Sequence, residues 1–158
     1  DRRGAVIRIW QDLAEVRRKR SDTEGLAEAL EELVVLEDSL DPARWVEVAE
    51  AWANAGSAER GVGVVQRAID LAPDNPRAHF VAARIFASAG MVDRAVGHGR
   101  SAWAAMPSNP EIALLLGQLY MQRGEAREAV DVLKAAAVSN PRDRRVQEAL
   151  RRAQKSGF

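Results

Sequence analysis

The six prolines of this chain fall into two series with one common step. Pro42, Pro76 and Pro110 are 34 residues apart (76 − 42 = 110 − 76 = 34), and so are Pro73, Pro107 and Pro141 (107 − 73 = 141 − 107 = 34). Glycine keeps the same step at Gly56, Gly90 and Gly124. A fixed period in this range marks a stacked array of supersecondary units. Asp41, Asn75 and Asn109 stand just before the first prolines. There an Asx side chain accepts a bond from an orphan helix N–H, and proline at the first helical position forfeits none. The glycines take the left-handed backbone that closes this helix, and a second helix must stop before the later prolines. Each unit therefore reads as helix, tight turn, helix, short link.

Small residues recur in phase where two helices must approach closely. They are Ala49, Ala83 and Gly117 in the first helix of each unit, Gly61, Ala95 and Ala129 early in the second, and Ala68, Ala102 and Ala136 late in it. Trp52, Phe86 and Tyr120 are large apolar residues at one shared position. This pattern resembles the tetratricopeptide repeat, with full repeats at 42–75, 76–109 and 110–143. The resemblance implies an all-α fold, a right-handed α-α superhelix of about nine antiparallel helices forming one domain. The spacing predicts helices over 42–55, 58–71, 76–89, 92–105, 110–123 and 126–139.

The flanks keep the helical period but lose parts of the pattern. Ala5, Val6, Ile9, Trp10, Leu13 and Val16 recur at helical spacing over 5–19, and a second helix follows over about 24–38. Counted back from Pro42, this pair fills one more repeat length, 8–41. Arg18 replaces its aromatic and Asp22 its turn glycine, so it reads as a degenerate repeat whose first helix lacks the small residues. At the other end, 144–155 forms an amphipathic helix with Arg144, Arg145, Arg151, Arg152 and Lys155 on one face, the polar cap that a repeat array needs. Gly97 and Gly99 sit inside a predicted helix, where glycine costs about 1 kcal/mol relative to alanine. A neighbouring helix is expected to pack closely against them.

Composition narrows the function. The net charge is zero and cysteine is absent, which removes disulfides and thiol chemistry and leaves the compartment open. No run reaches the ~18 apolar residues of a membrane span, so no direct membrane insertion is expected. The chain starts at Asp1 without methionine, which leaves room for an upstream segment or a larger enzyme that it regulates. Arginine far outnumbers lysine, a bias in keeping with a bacterial source. His79 and His98 have no second histidine or carboxylate at i+4 to make a ligand pair. Gly61-Val62-Gly63 lies within a predicted helix rather than in a phosphate-binding loop. The chain is expected to be no enzyme, with no cofactor, no metal, and both histidines in structural or surface roles.

The family resemblance implies that the first helices of the units line a concave groove that receives an extended peptide or a partner's helix. It places Val46, Phe80 and Leu114 in one apolar row across the groove. Beside them run Glu50, Arg84 and Gln118, then Ala53, Ala87 and Met121, then Asn54, Ser88 and Gln122, with Ala43, Arg77 and Glu111 at the mouth. Family members that clamp a chaperone's C-terminal tail use Lys and Asn where this chain has Val46, Glu50, Val81 and Glu111, and Arg where it has Leu115. Such tails ending in aspartate are therefore not expected as ligands. An apolar strip with mixed charge beside it suits an amphipathic helix or hydrophobic peptide, bound within a larger bacterial assembly. The alternative is that the chain's own N-terminal helix covers the row.

Charge is unevenly placed. Residues 1–20 hold seven basic and three acidic side chains, 21–41 eight acidic and none basic, and 139–158 six basic and two acidic. Head-to-tail self-association through these ends is one reading. Solvated faces with intrachain pairs are the other, and the one preferred. Nucleic acid is not expected as a partner, because the basic helix 144–155 carries no aromatic for base stacking.

Overall fold

The computed structural model describes residues 2–156. Among them the chain forms nine α-helices and no strand: α1 (Arg2–Lys19), α2 (Thr23–Leu36), α3 (Pro42–Ala55), α4 (Ala58–Leu71), α5 (Pro76–Ser88), α6 (Val92–Ala105), α7 (Pro110–Gln122), α8 (Ala126–Ser139) and α9 (Arg144–Ser156). The spans expected over 42–55, 58–71, 92–105 and 126–139 are the ones observed. α5 and α7 end one residue earlier than expected, α1 begins at Arg2 rather than Ala5, and α2 stops at Leu36.

Local chemistry accounts for these boundaries. Asp41 accepts from the Ala43 N–H at 2.9 Å, Asn75 from Arg77 at 3.0 Å, and Asn109 from Glu111 at 2.9 Å. Each thus caps a helix that opens with proline. Gly56, Gly90 and Gly124 turn the chain with φ of 75°, 73° and 75°. In the N-terminal unit the left-handed residue is Ser21, at φ 56°, one position before the phase of the repeat glycines. Asp22 instead caps α2 by accepting from the Gly25 N–H at 3.0 Å.

Consecutive helices pack on one another throughout, and alternate helices differ by side. The backbones of α3, α5, α7 and α9 meet in turn, whereas those of α2, α4, α6 and α8 stay apart, with only side chains such as Glu28 and Arg60 reaching across. A row whose members meet is the inner side of a curved stack, and a row whose members part is the outer side. The core runs between the rows as two clusters. One is centred on Val34, Val46, Trp52, Val65, Ile85 and Phe86, and the other on Ile112, Leu116, Leu133 and Val146. Ala49, Ala83, Ala95, Ala129, Ala68, Ala102 and Ala136 are all fully buried, as their recurrence requires.

The glycines that replace alanine mark the closest approaches. A Cβ on Gly117 would stand 2.8 Å from a Leu133 methyl, and one on Gly61 would stand 3.0 Å from an Ile85 methyl. Of the pair inside α6, Gly99 meets the expectation of tight packing, with Leu116 2.8 Å from an added Cβ. Gly97 does not. Nothing lies within 4 Å of such an atom there, because that side of α6 faces an open cleft.

α1 departs from the pattern. It packs on α2, but its backbone comes close to neither α3 nor α5, so it does not cover the inner row. Glu15 stands where the other units have Ala49, Ala83 and Gly117 (49 − 34 = 15), and a carboxylate at that position prevents close approach. A gap of about 530 Å³ remains between α1 and α3, floored by Leu30 and Leu33. A single ion pair, Arg18–Glu47 at 3.7 Å, spans it.

Candidate functional site

The inner face is built by α3, α5, α7 and α9, and its groups fall into two kinds. In the N-terminal half, polar side chains on successive helices hold one another. Glu50 on α3 accepts two bonds from the Arg77 guanidinium on α5, one of them at 2.8 Å. That bond and the charge behind it hold the Arg77 pKa above the usual arginine value. Arg84 donates to the Asn54 side-chain oxygen at 3.0 Å. Val46, expected in the open apolar row, is only 1% exposed and packs into the N-terminal core cluster. It is not available to a ligand. Glu50, Asn54, Arg77 and Arg84 are thus joined in pairs across the inner face, and exposed pairs of this kind contribute about 0–1 kcal/mol each.

The C-terminal half is open and apolar. Leu114, Gly117, Gln118 and Met121 of α7 face Arg145, Glu148, Ala149, Arg152 and Ala153 of α9 across a cleft of about 500 Å³, with Leu133 of α8 at its floor. The absent side chain at Gly117 lets Leu133 come up beneath the cleft. Ala149 and Ala153, four residues apart, give α9 a smooth wall, and Arg145, Glu148 and Arg152 form a charged rim. Glu111 pairs with Arg145 at 2.7 Å and Glu148 with Arg152, so the rim is braced on both helices. Hydrogen bonds that Arg145 donates to Asp143 and then to Glu111 raise its pKa above the ordinary value.

Three of the expected groove residues, Leu114, Gln118 and Met121, therefore meet in one cavity. Phe80 lies half-buried against the C-terminal core cluster, and Gln122 is exposed outside the cleft. Sequence reasoning missed the α9 wall because it treated 144–155 as a cap. The signal was present: 145, 149 and 153 recur at helical spacing, with small apolar residues between charged flanks.

The acidic segment 21–41 largely serves its own fold. Asp22 and Glu28 lie 3.9 and 3.3 Å from Arg17, Glu28 also reaches Arg60 at 3.8 Å, and Glu37 meets Arg44 at 2.8 Å. Glu31 accepts from the indole of buried Trp52 at 2.8 Å. The two histidines come together across α5 and α6, with their Nδ1 atoms 2.9 Å apart and His79 Nε2 2.7 Å from the Pro73 carbonyl. They act as a brace between helices. Among the described residues no three His, Asp or Glu side chains are grouped to hold a metal ion, and no helix is long and apolar enough to cross a membrane.

Comparison with known proteins agrees with this architecture. The sequence model described as tetratricopeptide repeat matches residues 86–153. No curated protein matches the chain. Among solved structures, a MamA protein superposes with a TM-score of 0.82 at 15% identity, covering 97% of this chain and 83% of its own. MamA from Desulfovibrio magneticus RS-1, residue 41 to the end, gives 0.77 at 18% identity, covering 95% and 90%. YrrB, described as a TPR protein with an unusual peptide-binding site, gives 0.77 at 15% identity, covering 90% and 73%. At such identities the likeness is one of fold. Residues 86–153 thus match the tetratricopeptide repeat model, and the described chain as a whole shares the helical solenoid fold of the MamA and YrrB structures.

Proposed function

We propose that this chain is a non-catalytic interaction module that seats an apolar segment of a partner protein, an amphipathic helix or hydrophobic peptide, between α7 and α9. The observation that carries the reading is the cleft of about 500 Å³ in which Leu114, Met121 and Ala149 stand partly exposed, over buried Leu133 and Ala153, within a braced charged rim. A pocket with an apolar floor and a few fixed polar groups is the usual form of a peptide-anchoring site. The inner face is free of α1, and the polar pairs nearer the N-terminus leave fewer unpaired groups there to recognise a ligand. The peptide-binding site named for the similarly folded YrrB lends the reading support from the fold alone.

Capture from a lysate of the source organism, followed by mass spectrometry, tests it. Met121→Glu places a carboxylate in the cleft at a half-buried position, and thermal melting checks that the variant stays folded. A protein retained by the wild type and lost with Met121→Glu is the expected result. Equal recovery with both would refute the cleft as the working surface.

A further inference from the structure

The outer face carries a second feature, visible only when equivalent positions of the units are compared. Trp52, Phe86 and Tyr120 occupy one position of the 34-residue step, and Arg60, Arg94 and Glu128 another (60 + 34 = 94, 94 + 34 = 128). In the first unit the Arg60 guanidinium lies 4.8 Å from the Trp52 ring centre, and in the second Arg94 lies 3.9 Å from that of Phe86. Both aromatics are fully buried. A cation over a ring face gains from the ring's quadrupole, and arginine adds the stacking of a planar group. In the third unit the arginine is replaced by Glu128, and Tyr120 is left partly exposed.

An open cleft of about 740 Å³ lies over that ring, between α6 and α8, with Leu116 and Tyr120 of α7 at its floor. One wall carries Glu128 and Asp131, and the other Arg100 and Trp103. Among the described residues, neither Glu128 nor Asp131 has an ion-pair partner, and the Tyr120 hydroxyl has no hydrogen bond. Where two units supply their own guanidinium to cover the aromatic, the third supplies an aromatic floor and two unpaired carboxylates.

We propose that this cleft is a receptor site for an arginine side chain of a partner protein, which takes over Tyr120 the place that Arg60 and Arg94 take in the preceding units. The guanidinium stacks on the ring and donates to Glu128 and Asp131, whose planar acceptors suit its fork better than a lysine ammonium. Arg100, also without an ion-pair partner among the described residues, stands on the facing wall and disfavours a run of several cations. The site lies on the opposite side of the stack from the α7–α9 cleft, so the two can be occupied and tested separately.

The test uses the whole chain with two capped tripeptides, Ala-Arg-Ala and Ala-Gln-Ala, followed through the NMR signals of Tyr120 and the Trp103 indole. The arginine peptide is expected to give saturable shifts, at least about fivefold tighter than the glutamine peptide. Glu128→Arg restores the pattern of the first two units, so its own side chain should cover Tyr120 and abolish the shifts. Should Glu128→Arg fail to fold, the paired change Glu128→Gln with Asp131→Asn should likewise remove the preference for arginine. No preference between the peptides, or shifts unchanged in a folded variant, would overturn the proposal. Shifts at the same signals that grow with protein concentration without peptide would overturn its assignment to a partner and place a second copy there.

Discussion

His98 shows how one substitution in a repeat imports a new property. Its equivalents in the neighbouring units are Val64 and Val132 (98 − 34 = 64, 98 + 34 = 132), so an apolar side chain suits the position. Here an imidazole stacks on Phe86, with ring centres 5.3 Å apart, and meets His79. Because the Pro73 carbonyl only accepts, His79 donates to it from Nε2, and in the neutral pair His98 donates from Nδ1 to His79 Nδ1. One added proton can be shared by changing tautomer, but two cannot. Burial, then the charge of His79, then that of Arg94 lower the His98 pKa from the ordinary 6.5. A base with a lowered folded pKa contributes stability that is complete above the unfolded value and is lost as pH falls through the folded one. The urea midpoint should therefore drop between about pH 7.5 and pH 5 in the wild type, and drop less in His98→Val. Parallel pH dependence in the two proteins would remove the pair from this role.

Among elements, the spacing of small residues decides which helices can meet. Gly63 and Gly117 are both helical, yet an alanine Cβ at Gly63 would meet nothing within 4 Å, while one at Gly117 would stand 2.8 Å from Leu133. Gly63→Ala should stabilise by up to about 1 kcal/mol through helix propensity. Gly117→Ala should cost about 1–3 kcal/mol, because Leu133 has to move from beneath the α7–α9 cleft. Chemical denaturation of both variants checks the contrast, and equal shifts would contradict it. The helix bounds were legible in the sequence because caps, proline and glycine act through the backbone a few residues away. The site was legible only in part. Leu114, Gln118 and Met121 lie in one cleft because phase places them on one helix face. That Val46 would be buried, or that Glu50 would be engaged by Arg77, depends on how far successive helices are rotated against each other. Repeat phase alone does not carry that rotation. Nor could the period show that α1 stands away from α3, although Glu15 at a small-residue position was the sign of it.

Across the whole molecule, backbone contacts are confined to neighbouring helices and to the next helix along the inner face, so among the described residues none joins the two ends. Stability in such a stack is close to a sum of unit and interface terms, and damage should stay near its source. Ala153 on α9 is 1% exposed and forms part of the cleft wall opposite α7. Ala153→Asp would bury a carboxylate with no partner, at a cost of at least about 2 kcal/mol. The relief available to the chain is to release α9. Hydrogen exchange should then quicken in α9 and along the parts of α7 and α8 that it covers, while α1 to α4 keep their protection. The α7–α9 cleft would lose one wall, and with it the partner segment proposed there, whereas the outer cleft over Tyr120, built from α6, α7 and α8, should still take the arginine peptide. Loss of protection in all helices together would mean that the stack melts as one cooperative body, and that the two faces cannot be separated by mutation at its end.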